Sequence, residues 1–185
     1  MTTDTERDDL IAELADARAA LLGTTDGLTD EQAGATPTVS ALCLGGLLKH
    51  VASMEENWLR FVVEGSSAVR YDLPEGVTWA DILAGTAREY PQWMIDHQNE
   101  FAMQPSDTLA AIRARYADVA KRSEDVIRTV PDLSVTHPLP DAPWDARTGQ
   151  KWTARRALLH VIAETYQHAG HADILRETLD GQKAT

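Results

Sequence analysis

Apolar residues recur at helical spacing in four stretches of this chain, each bounded by polar residues, glycine or proline. Residues 7 to 22 place Leu10, Ile11, Leu14, Ala17, Leu21 and Leu22 three and four apart, with Gly23 and Gly27 as stop signals, which predicts a first helix. A second is expected to open near Thr38 or Ser40 and to run to Glu64, ending at Gly65-Ser-Ser67. At about 100° per residue, its Cys43, Leu47, Val51, Met54, Trp58 and Phe61 share an apolar face, and Lys49, Glu56 and Arg60 fall opposite, towards solvent. Residues 65 to 105 carry glycine, proline and aromatic residues without a sustained period, so a long connection is predicted, with a short helix near residues 79 to 90. From a cap at Ser106-Asp107, the positions Leu109, Ile112, Tyr116, Val119, Ser123, Val126 and Val130 repeat in a 3-4 pattern until Pro131. Residues 131 to 150 hold four prolines and read as a connection. Thr153 then caps a last helix running to about Leu179, with Gly181 beyond it. Four long helices joined partly by long connections predict an all-α antiparallel bundle with at least one crossover.

Composition narrows this picture. At 185 residues and 43% apolar content, one domain with a sizeable core is the expectation. The polar, acidic start lacks the pattern of a secretory leader, and no apolar run approaches membrane-spanning length, so a soluble cytoplasmic protein is expected. The single cysteine, Cys43, lies among apolar residues and reads as a buried thiol in a reducing compartment. The net charge of -12 comes without the basic stripe that binding to a phosphate backbone needs, which argues against nucleic acid. Arginine outnumbers lysine 13 to 4, a bias typical of GC-rich bacterial genomes.

The last helix carries the chemistry. Ala154, Ala157, Val161, Ala172, Leu175 and Leu179 define its inward face; Glu164 and His168 point the same way, His171 lies beside them and His160 at the edge. Unpaired, a buried polar group costs roughly 2 to 7 kcal/mol, and a charge more. Glu164 and His168, four apart, can offer two ligands to one ion. His50, on the apolar face of the second helix, can supply a third. Two imidazoles and one carboxylate with open positions suit a catalytic divalent metal. A Glu-His pair at this spacing is also commonly a surface pair, and a histidine on an apolar face is commonly a hydrogen-bonded core residue, so both readings stay open on spacing alone. His97 and His137 sit in irregular segments and are expected to be solvated. The tryptophans read as packing, with Trp58 also able to wall a pocket. No nucleophile elbow, phosphate-cradling glycine loop, paired CxxC or HExxH is present.

The segment Leu158-Leu-His-Val-Ile-Ala-Glu-Thr-Tyr-Gln-His-Ala-Gly-His-Ala-Asp-Ile-Leu-Arg-Glu177 resembles the closing helix of the DinB-like (DinB/YfiT) superfamily, in its actinobacterial mycothiol-transferase and mini-circle-protein branch. Leu44-Gly-Gly-Leu-Leu-Lys-His-Val-Ala-Ser-Met-Glu-Glu-Asn-Trp58 resembles the family's second-helix motif, and Asp107-Thr-Leu-Ala-Ala-Ile-Arg-Ala-Arg-Tyr116 adds a third match. The resemblance implies a four-helix bundle of up-down-down-up topology with a metal in its core. Many members use three histidines. Here Glu164 stands at the second of those positions, between His50 and His168, a set the related mycothiol-dependent maleylpyruvate isomerases share. The family name records damage induction of one member and implies no DNA chemistry.

The same resemblance implies thiol chemistry, with mycothiol as cosubstrate and a small electrophile as its partner; the arginine-rich composition favours mycothiol over bacillithiol. On this reading His50, Glu164 and His168 ligate the metal, zinc first with nickel or iron as alternatives, and His171 orients or deprotonates the thiol. Relatives commonly form homodimers. A metal-assisted hydrolase or isomerase of a small molecule, and a non-catalytic binding or resistance protein, are the competing expectations.

Overall fold

All four long helices form, and each is fixed by a local signal and a tertiary contact. The computed structural model describes residues 2–68, 71–140, 147 and 149–183, the side chains of residues 2–4 excepted. In chain order the helices are α1 (Thr2–Gly23), α2 (Asp30–Gly34), α3 (Leu44–Glu64), α4 (Trp79–Ala84), α5 (Gln92–Glu100), α6 (Leu109–Thr129) and α7 (Ala154–Asp180). A 3₁₀ turn, Gly65–Ala68, follows α3. The strands β1 (Thr136–Pro138) and β2 (Lys151–Thr153) pair antiparallel, His137 opposite Trp152. The chain is therefore mostly helical, consistent with the all-α expectation, and the short two-stranded ribbon is its one strand pairing among the described residues. It closes the connection across residues 131 to 150, of which 141–146 and 148, including Pro143, lie outside the described residues.

Helix α1 packs on α6 and α7, and so does α3. Leu14, Leu47, Leu48, Tyr116, Leu158 and Val161 are among the side chains buried where these faces meet. No helix among the described residues is long and apolar enough to cross a membrane.

Helix α1 starts well before residue 7, because its first turns have tertiary partners: Glu6 pairs with Arg155, and Arg7 donates to the carbonyls of Ile127 and of Val130 (2.6 Å). Those carbonyls lie at the end of α6, where the helix itself leaves them without an amide partner. The helix predicted from Thr38 or Ser40 starts only at Leu44. Cys43 is extended and serves as its N-cap, its Sγ accepting from Gly46 N at 3.3 Å. The thiol is buried, as expected. Likewise α6 is capped by Thr108 and not at Ser106-Asp107. Helix α7 begins after Thr153 and ends at Gly181, whose φ of 79° is the left-handed conformation glycine adopts without strain.

The segment between α3 and α6 departs most from expectation. The helix expected over 79–90 stops at Ala84, closed by Gly85, and α5 forms without a forecast. The end of this crossover is fastened to the first turns of α3. A Cβ on Gly46 would stand 2.2 Å from the Phe101 carbonyl oxygen, a backbone atom, so only glycine permits this approach; one on Gly45 would meet the end of the Met103 side chain, which would have to shift. Lys49, expected in solvent, instead donates to the carbonyls of Asn99 (3.1 Å) and Ala102 (2.9 Å) and pairs with Asp107 (2.5 Å).

Candidate metal centre

His50 and His168 reach each other from α3 and α7, although 117 residues separate them in the chain. Their ring centroids are 5.0 Å apart in an edge-to-face arrangement, and His171 is edge-on to His168 at 5.4 Å. His168 Nε2 lies 3.7 Å from Glu164 Oε2. The second oxygen of Glu164 faces His160 Nε2 at 3.9 Å. His160 is held in an aromatic corner, edge-on to Trp58 and Trp152, which stack on each other with centroids 5.0 Å apart. Thus His168 meets His50, His171 and Glu164 in three separate pairwise contacts, and His160 faces the other oxygen of Glu164.

Three further residues join this group from the crossover. Glu100 Oε2 receives His50 Nδ1 at 3.4 Å and His97 Nδ1 at 3.3 Å, and Phe101 stacks on the His50 ring at 4.2 Å. His97 was expected to be solvated in an irregular segment; it is exposed, but it sits on α5 and engages Glu100. Its i, i+3 spacing to Glu100 was the available signal. Candidate ligating atoms of His50, His97 and Glu100 all lie within 4.8 Å of one another.

The electrostatics favour neutral imidazole at the α7 end. Burial holds His168 below the ordinary histidine value, and repulsion from His50 and His171 adds to it, against the pull of Glu164. His160 is lowered by burial, again against Glu164, with help from Arg147 and Arg156. Neutral imidazole is the form that ligates a metal. At the crossover, burial would raise Glu100, but hydrogen bonds from His50, His97 and Ser53 outweigh it and bring its pKa to about 2. His97 is raised chiefly by its bond to Glu100.

Imidazole nitrogens and carboxylate oxygens are donor types that suit a divalent ion. His168 Nδ1 and His171 Nδ1 are buried without a hydrogen-bond partner, and an unsatisfied buried polar group costs about 1–3 kcal/mol. Each is a nitrogen that a ligand or ion would satisfy.

A cavity of about 810 Å³ opens beside His50, His97 and Glu100. Trp58, Phe61, Tyr71 and Trp93 contribute aromatic walls, and Arg60 and Arg147 contribute positive charge. Trp58 therefore lines a pocket, as expected. Of the four residues expected to form the site, His50 alone lines it among the described residues.

A helical protein whose aromatic cavity is lined by His50, His97 and Glu100 is suited to binding a small molecule beside an ion. Residues 9–181 match the family described as mycothiol-S-transferase, and the chain belongs to that family, in the mycothiol-transferase branch of the DinB-like superfamily. No individual curated protein matches it.

Proposed function

We propose that the protein is a metal-dependent S-transferase that joins the thiol of mycothiol to a small electrophile. The observation that supports this reading is the contact of His168 with both His50, which lines the aromatic cavity, and Glu164, in a chain of the mycothiol-S-transferase family. In this reading residues 1–185 form one cytoplasmic domain, a four-helix bundle of up-down-down-up topology. The mutual contacts of α1 and α3 with α6 and α7 support it.

His50, Glu164 and His168 hold the ion, zinc by preference, since two nitrogens and one oxygen leave a position open. When bound there, a divalent ion lowers the pKa of a thiol and keeps its sulfur as thiolate near neutral pH. His171 accepts the thiol proton on an imidazole nitrogen. The sulfur then forms a bond to the electrophilic carbon, whose leaving group departs with the bonding electron pair. The walls formed by Trp58, Phe61 and Trp93 exclude water and orient an apolar electrophile.

Free thiols, with a pKa near 8.5, are only a few per cent thiolate at pH 7, so deprotonation contributes about tenfold to a hundredfold and positioning supplies the rest. Conjugation of mycothiol to a panel of electrophiles is therefore expected to proceed with the metal-loaded protein. It should fall towards the uncatalysed rate in chelated protein and in His168→Ala. Equal rates in all three would reject thiol transfer in favour of a binding protein.

A further inference from the structure

The crossover grips the His50 ring with two consecutive residues. Glu100 meets its Nδ1 edge at 3.4 Å, and Phe101 lies against its face at 4.2 Å, 27° from parallel. Neither belongs to α3 or α7, and the backbone that carries them is not free to drift. Gly46 admits the Phe101 carbonyl where any side chain would collide, and Cys43 Sγ lies 3.8 Å from the same oxygen. Lys49, one residue before His50, donates to the carbonyls of Asn99 and Ala102, on either side of Glu100 and Phe101. His97 holds the same Glu100 oxygen from the turn before.

A carboxylate only accepts hydrogen bonds, so the ring nitrogen facing it must be the N–H. With Nδ1 of His50 so engaged, a neutral ring has its lone pair on Nε2. A metal-ligating histidine typically gives its other N–H to a carboxylate or carbonyl, which fixes tautomer and ring plane and raises ligand basicity. We propose that Glu100 is the positioning residue that sets His50 to ligate through Nε2, and that the docked crossover is therefore part of the metal centre. This inference rests on the ligand set proposed above. It assigns Glu100 a role in orienting a ligand, distinct from membership of the ligand set.

The test is metal affinity, measured by competition with a chelator, together with the absorption spectrum of the cobalt-substituted protein. In Glu100→Ala the affinity should fall about tenfold to a hundredfold. Saturating cobalt should still give one ion per chain with an unchanged ligand-field spectrum. In Glu100→Gln the amide oxygen still accepts from His50, and most of the affinity should return. Lys49→Met, which touches neither ring, should weaken binding in the same direction but less. Unchanged affinity in Glu100→Ala, alongside loss of the ion in His168→Ala, would overturn the positioning role and leave the ligand set standing. Loss of the ion from Glu100→Ala and Glu100→Gln, with retention in His168→Ala, would overturn both and move the ion to His50, His97 and Glu100. A wild-type chain that binds no ion would overturn both as well.

Discussion

Arg18→Met is expected to destabilise the protein by about 3–5 kcal/mol, the usual result of removing one partner from a buried ion pair. Arg18 of α1 donates through Nε to Glu55 Oε2 of α3 at 3.1 Å and through Nη2 to Oε1, and Ser123 of α6 donates to the same Oε1. The side chains of Arg18 and Glu55 are 6% and 0% exposed, so solvent screens the pair little. Three long helices are thereby tied at one carboxylate. Tyr116 lies in its field: burial, and then the charge of Glu55, push the phenol above its usual range. Without the guanidinium, Glu55 becomes an uncompensated buried charge. For a chain of this size the melting temperature should drop by roughly 6–20 °C. Arg18→Met combined with Glu55→Leu removes both charges and should recover much of the loss, because an apolar replacement of similar volume is often neutral. Thermal unfolding of both variants checks this. A single variant within about 1 kcal/mol of the wild type would show that the pair contributes no more than a surface ion pair.

His50→Ala is expected to lose the bound ion, although His50 is far in sequence from Glu164 and His168. Removing an outer partner of a metal ligand typically costs tenfold to a hundredfold in affinity, so removing one of three ligands should cost at least about a hundredfold. The purified variant should then carry well under one equivalent of metal by elemental analysis, and thiol conjugation should fall with it. The fold should persist, because the apolar neighbours Leu47 and Val51, both fully buried, still anchor this face of α3. Retention of a full equivalent would remove His50 from the ligand set.

Where helices bury a continuous face, their pattern was legible. The period of α7 placed Glu164 and His168 together, and Thr153 and Gly181 marked its ends because capping is a local interaction. His50 could be paired with them because it shares a face with Leu47 and Met54. Helix α5 could not be read this way: none of its nine residues is buried, so it carries no apolar period, and its place depends on contact with α3. His97 and Glu100 were hidden for the same reason. The start of α3 was placed too early because its cap is Cys43, a residue type that capping preferences do not single out, whereas Thr38 and Ser40 are favoured cap types. Glu55 was equally opaque, since a carboxylate beside Glu56 looks solvated until Arg18 arrives from another helix. Lys49 shows the converse: its position opposite the apolar face was read correctly, but the crossover covers it.

The cobalt-substituted protein titrated with mycothiol, in the absence of any electrophile, tests the central claim most directly. A thiolate-to-cobalt charge-transfer band should grow to one equivalent of thiol per chain near neutral pH, and it should be absent from His168→Ala treated in the same way. A cobalt spectrum unmoved by mycothiol, in protein that holds one ion per chain, would contradict the account.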